Sequence, residues 1–159
     1  MDRRTALKQM FIIAGGMMIA TSCDFSSKAT SIQLNNVKLD SDDELFLSEL
    51  VETIIPKTDS SGGKDLNLHL FVMKMLDDCT SPEDQKKFLE GLKTAEKIKG
   101  KSAAEQIAYL KALPQDDVFF NILKRRTIQG YKNSEYVMKN KLVYELVPGR
   151  YNGAFKIVG

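Results

Sequence analysis

Three side chains in this sequence have the widest chemical repertoire: the one histidine, His69, and the two cysteines, Cys23 and Cys79. A general base needs a nucleophile or a substrate proton within hydrogen-bond reach. His69 stands in Asn67-Leu68-His69-Leu70, early in a predicted helix, and no partner is spaced to meet it. It reads as a partly exposed or capped helical histidine. One His and two Cys exclude a zinc site built purely from these types, c-type haem attachment and four-cysteine iron–sulfur ligation. Asp77-Asp78 lacks the alternating acid–glycine spacing of a calcium loop, so it reads as ordinarily solvated carboxylate at a helix end. Gly62-Gly63 has no Lys-Ser/Thr after it and reads as a turn rather than a phosphate cradle. The pairs Asp42/Asp43 and Asp116/Asp117 could serve a hydrolase as acid and base. Acids also gather at helix starts because the N-terminal N–H groups attract them. Lys124-Arg125-Arg126 points three ways round a helix. It reads as a solvated face, with an ion-pair rim for a protein partner as its alternative.

Cys23 has a context that Cys79 lacks. Arg3, Arg4 and Lys8 form a basic start, and no charge follows from Gln9 to Cys23. The apolar run from Met10 to Ala20 has the length of a signal-peptide core and is too short to span a bilayer as a helix. Arg3, Arg4, Leu7 and Lys8 resemble a twin-arginine export signal, although Ala6 stands where Phe is usual. Ile19-Ala20-Thr21-Ser22-Cys23 looks like a loose bacterial lipobox, in which the Cys23 thiol is acylated and becomes the new N-terminus. The expected location is the periplasmic side, lipid-anchored to a bacterial membrane. With Cys23 acylated, Cys79 has no intrachain partner and is expected to be buried.

The chain of 159 residues suits one domain beyond this leader. Of its 23 basic and 21 acidic residues, three bases and one acid lie in residues 1–22, so the remainder is neutral. Composition therefore makes no case for nucleic acid. The expected organisation is a signal segment over 1–22, a flexible polar tether over 23–40 and a helical domain over 41–159.

Helical stripes fill the body. Leu47, Leu50, Val51, Ile54 and Ile55 follow an acidic start at Asp40–Glu44, and Pro56 ends that helix. Leu68, Phe71, Val72, Met75 and Leu76 form a second stripe. Ser81-Pro82-Glu83-Asp84 opens a third helix, with Phe88, Leu89, Leu92 and Ala95 facing inward and Gly100 beyond its end. Ser102-Ala-Ala-Glu105 is a capping box for a fourth, lined by Ile107, Leu110 and Leu113. Asp116-Asp117 starts a fifth, with Phe119, Phe120, Leu123 and Thr127 or Ile128 inside and Gly130 at its end. A last helix covers about Ser134 to Lys141, and an irregular tail follows. No stretch alternates with period two. The expected fold is an all-α bundle of about five or six short helices.

Two segments carry a resemblance. One runs Leu50-Val-Glu-Thr-Ile-Ile-Pro-Lys-Thr-Asp59, then Gly62-Gly63-Lys64-Asp65, and leads into the helix that ends at Asp77-Asp78. The other is Gly130-Tyr-Lys-Asn-Ser-Glu135, followed by Val147-Pro-Gly-Arg-Tyr-Asn-Gly153. With the Arg-Arg leader, they resemble the gluconate 2-dehydrogenase subunit 3 family over about residues 41–157. The resemblance implies a noncatalytic accessory subunit that escorts and stabilises a large flavoprotein dehydrogenase, exported folded. It places FAD on that partner and none on this chain, and it implies a multihaem cytochrome c subunit as electron acceptor. The two expected contact regions are Pro56, Thr58 and Asp59 after the first helix, and Pro148, Gly149, Arg150 and Tyr151 in the tail. No catalytic, cofactor-binding or metal-binding residue is expected. A stand-alone exported lipoprotein serving as a binding or scaffold module shares every local feature.

Overall fold

The computed structural model describes residues 29–142. Six α-helices succeed one another: α1 (Ser41–Ile54), α2 (Leu68–Cys79), α3 (Pro82–Ala95), α4 (Ala103–Ala112), α5 (Val118–Lys132) and α6 (Glu135–Asn140). A 3₁₀ turn (Glu96–Ile98) follows α3, and there is no strand among the described residues. The all-α bundle is as the stripes predict.

Local chemistry sets the helix starts. The Asp40 side chain accepts from the N–H groups of Asp42 and Asp43, and Asp43 accepts in return from the Asp40 N–H. Ser102 and Glu105 form the same reciprocal box at the start of α4, and the Ser81, Asp117 and Ser134 side chains each accept one first-turn N–H at the starts of α3, α5 and α6. Each such cap contributes about 1 kcal/mol.

Helix α5 sits centrally, packing on α2 and α3 and also touching α1 and α6. Phe46, Leu47 and Leu50 of α1, Val72, Met73 and Leu76 of α2, and Leu123 of α5 are fully or almost fully buried. Phe88 and Phe119 meet across α3 and α5 with ring centroids 5.1 Å apart and planes tilted by 54°. Offset or tilted aromatic pairs add about 0.5–1.5 kcal/mol beyond their burial.

Several expectations change. Met73 is buried in α2, while Met75 is only half-buried. Ile107 is exposed and Gln106 takes the inner position. Gln106 can do so because its amide donates to the Ile98 carbonyl at 3.3 Å and its oxygen meets the Thr53 hydroxyl. Gly130 does not end α5, which runs on to Lys132. Its role is a close helix approach: a Cβ there would lie 2.8 Å from the Phe71 ring of α2. Ile128 is exposed, and Thr127 takes the inward place.

The C-terminus of α2 departs most from its sequence reading. Asp77 is buried rather than solvated. Its carboxylate accepts the backbone N–H groups of Asn35, Asn36 and Val37 at 2.9, 2.6 and 2.9 Å. Burial raises its pKa, but those three donors and the Lys74 ammonium outweigh burial and hold it below the ordinary carboxylate value. Carbonyls at the helix end are also matched. Thr80 donates to Met75, Gln85 to both Leu76 and Asp77, and Arg126 to Cys79. This satisfies three of the four carbonyls the helix end leaves open, those of Leu76, Asp77 and Cys79, and Arg126 adds a cation where the helix dipole favours one. Buried Gln85 fills the inner side of this turn, so Cys79 stands exposed with a free thiol, contrary to expectation.

The packed part of the chain also begins earlier than residue 41. Val37 is buried, and Ile32, Leu34 and Leu39 lie against the core. The flexible-tether expectation for 23–40 therefore does not hold over residues 29–40. The reason is the set of donors that Asp77 accepts. The signal segment, Cys23 and the tail beyond residue 142 lie outside the described residues.

Candidate partner-binding surface

The loop after α1 is built onto one carboxylate. Glu52, in the last turn of α1, accepts the Lys57 N–H with one oxygen and the Lys64 N–H with the other, each at 2.8 Å. Both ends of the 57–64 loop are thereby pinned to the helix. The Gly63 N–H donates to the Ile55 carbonyl at 2.8 Å, and the Gly63 carbonyl accepts from Leu68 at 3.0 Å. Lys57 pairs with Asp65 at 3.0 Å, and that hydrogen bond holds the Asp65 carboxyl below its ordinary pKa. The two glycines are required by proximity. A Cβ on Gly62 would lie 2.6 Å from a Glu52 carboxylate oxygen, and one on Gly63 would lie 2.5 Å from the Val51 carbonyl oxygen.

The latch presents Pro56, Thr58 and Asp59, all exposed. The Thr58 hydroxyl donates to the Asp59 carboxylate at 3.0 Å, and the Thr58 N–H donates to the Ser60 carbonyl. A loop held this way loses little conformational freedom on docking, which is the main cost a flexible loop imposes on binding. The other expected contact residues (Pro148, Gly149, Arg150 and Tyr151) lie outside the described residues. So do Arg3, Arg4, Leu7, Lys8 and Cys23.

His69 is buried, not partly exposed. Its Nε2 faces the Glu44 carboxylate at 3.7 Å, and its Nδ1 is buried with no hydrogen-bond partner. Glu44 in turn accepts from the Ser31 N–H at 2.7 Å and from the Ser31 hydroxyl. This is a clasp for the docked N-terminal segment rather than a nucleophile–base pair. Burial lowers the His69 pKa, Glu44 opposes that and Lys64 reinforces it. The unfolded chain therefore takes up a proton more readily as pH falls below 6.5. The urea midpoint is expected to drop between pH 7.5 and 5.5, and His69→Gln is expected to flatten that slope.

Other chemistry finds little support in the geometry. Among the described residues no three His, Cys, Asp or Glu side chains are placed to hold a metal ion. No helix there is long and apolar enough to cross a membrane. With no strand among them, the described residues form no strand–turn–helix cradle for a dinucleotide pyrophosphate.

The model of the family described as gluconate 2-dehydrogenase subunit 3 matches residues 41–149 of the chain. The chain belongs to that family. No curated protein and no solved structure matches. Membership in gluconate 2-dehydrogenase subunit 3 associates the chain with a dehydrogenase complex. The matched span contains the whole latched loop, so the candidate contact loop lies within the part of the chain that the family covers.

The sequence pointed to Pro56, Thr58 and Asp59 but missed Glu52, which orders them. The signal was faint: an acid four residues before a proline, with two glycines ten and eleven residues after the acid.

Proposed function

We propose that the chain is the noncatalytic small subunit of a flavin-dependent dehydrogenase of the gluconate type, which it escorts, stabilises and helps to hold at the membrane. The observation that carries this reading is the Glu52-latched loop within the family-matched span. A rigid, exposed turn backed by a buried helical core is suited to docking rather than to turnover. FAD belongs to the large flavoprotein partner, and a cytochrome c subunit receives the electrons.

The leader supplies the route. Arg3, Arg4, Leu7 and Lys8 direct export of already folded cargo, so a partner must bind before crossing. Acylation of Cys23 with more than one chain then gives stable anchoring, which a single chain does not. Seven residues, and so eight Cα steps, separate Cys23 from Ser31, the residue clasped by Glu44. Such a span reaches at most about 28 Å, so the domain is held close to the bilayer on the periplasmic side.

The test is a mild-detergent purification of the tagged chain from native membranes, with an absorbance scan and mass spectrometry. A flavin spectrum with a large oxidoreductase chain in near-equal amount is expected. A colourless protein without a stoichiometric partner overturns the reading in favour of a stand-alone lipoprotein module. Arg3→Lys combined with Arg4→Lys is expected to block export of both chains. An active flavoprotein still exported beside that variant counts against escort.

A further inference from the structure

A groove of about 550 Å³ opens beside the latched loop, between the start of α2, the end of α5 and α6. Leu66, Phe71 and Tyr136 supply its apolar and aromatic lining. Asn133 joins it to a second depression of about 410 Å³ on the outer face of α5. Arg125, Ile128 and Lys132 line that depression, and their spacing places them on one helical face. Ile128 is 40% exposed, although it is large and apolar. The one acid bordering the groove, Glu135, is already tied to Lys139. Arg125 and Lys132 have no ion pair among the described residues.

We infer that this double groove seats an extended segment of the partner dehydrogenase subunit. The segment carries an apolar or aromatic anchor for the Phe71–Tyr136 cleft and carboxylates for Arg125 and Lys132. The inference rests on the accessory-subunit reading. Three observations select this occupant. An apolar pocket beside cations that have no ion pair among the described residues is complementary to an acidic, aromatic-bearing strand, with Arg able to take a carboxylate in a two-pronged bond. A second copy is disfavoured, because a two-fold contact through this face sets the Arg125–Lys132 stripe against itself. The chain's own residues 143–159 hold one acid, Glu145, against Arg150 and Lys156, and so do not supply the missing charge. The groove is also continuous with the proposed contact loop: Leu66 directly follows Asp65, which pairs with Lys57.

The experiment places p-benzoylphenylalanine at Ile128, and separately at Thr58, in the full chain with its native partner. Crosslinked peptides are then identified by mass spectrometry. The Ile128 position is expected to link to a flavoprotein peptide with Asp or Glu within a few residues of the link. Arg125→Glu with Lys132→Glu is expected to weaken binding of the purified flavoprotein about tenfold or more and to reduce its salt dependence. The thermal midpoint should stay unchanged, since both side chains are exposed. A link from Ile128 to a second copy or to residues 143–159 overturns the proposal, as does unchanged affinity of the double variant. If Thr58 links to the flavoprotein and Ile128 does not, the groove assignment fails while the accessory reading stands. If neither position links and no flavoprotein co-purifies, the accessory reading fails as well.

Discussion

Asp77→Ala is expected to lower the stability of the domain by about 3 kcal/mol, because it strands buried groups. Three backbone donors from Asn35, Asn36 and Val37 lose their acceptor at once, and Val37 is itself buried. A loss of that size corresponds to a fall of roughly 10–15 °C in thermal midpoint for a domain of this length. Asp77→Asn keeps one acceptor oxygen and should cost less, about 1–2 kcal/mol. The pH dependence follows from the direction of the shift. The carboxyl is held below its ordinary value of 3.8 in the folded chain, so its contribution is complete above that value. It fades as pH falls through the lower folded value. Thermal unfolding by circular dichroism reads the stability, and amide exchange reads residues 35–37 separately. Unchanged protection of those amides in Asp77→Ala sinks the prediction.

Gly63→Ala is expected to cost about 2–3 kcal/mol and to lower partner affinity about tenfold or more. The added Cβ meets main chain, not a movable side chain: the Val51 carbonyl oxygen at 2.5 Å, its carbon at 2.7 Å and the Glu52 nitrogen at 3.1 Å. The last turn of α1 cannot yield there without losing its own hydrogen bonds. The loop must lift instead, drawing the Lys57 and Lys64 N–H groups off Glu52. Glu52→Gln tests the same latch from the other side, since an amide presents one acceptor oxygen where the carboxylate presents two. It should give a smaller loss in the same direction. Ser61→Ala, within the same loop, is the control and should change little. If Gly63→Ala melts lower yet binds the flavoprotein normally, the loop is structural and is not a contact surface.

Much of the fold was legible because it depends on neighbours in sequence. The caps at Ser81 and Ser102 act over three residues, and the stripes over four or seven. The turn at Gly62-Gly63 and the exposure of Pro56, Thr58 and Asp59 are likewise local. Where periodicity alone chose between adjacent positions it sometimes chose wrongly. Gln106 displaced Ile107 because its amide found the Ile98 carbonyl, and an apolar count does not register a satisfied polar group.

The sequence by itself determined an all-helical domain, its helix starts, the loop that presents Pro56, Thr58 and Asp59, and the family motifs in 50–65. Tertiary structure alone decided which polar residues became structural. Asp77 meets donors about forty residues earlier, Arg126 meets a carbonyl 47 residues earlier, and Glu44 bridges Ser31 and His69. Packing turns each of these from a free charge into an anchor, most completely at buried Asp77, because a desolvated polar group is retained only where its partners are supplied. The supply comes from helices brought together by their apolar faces, and no spacing along the chain records which helix end will face which segment.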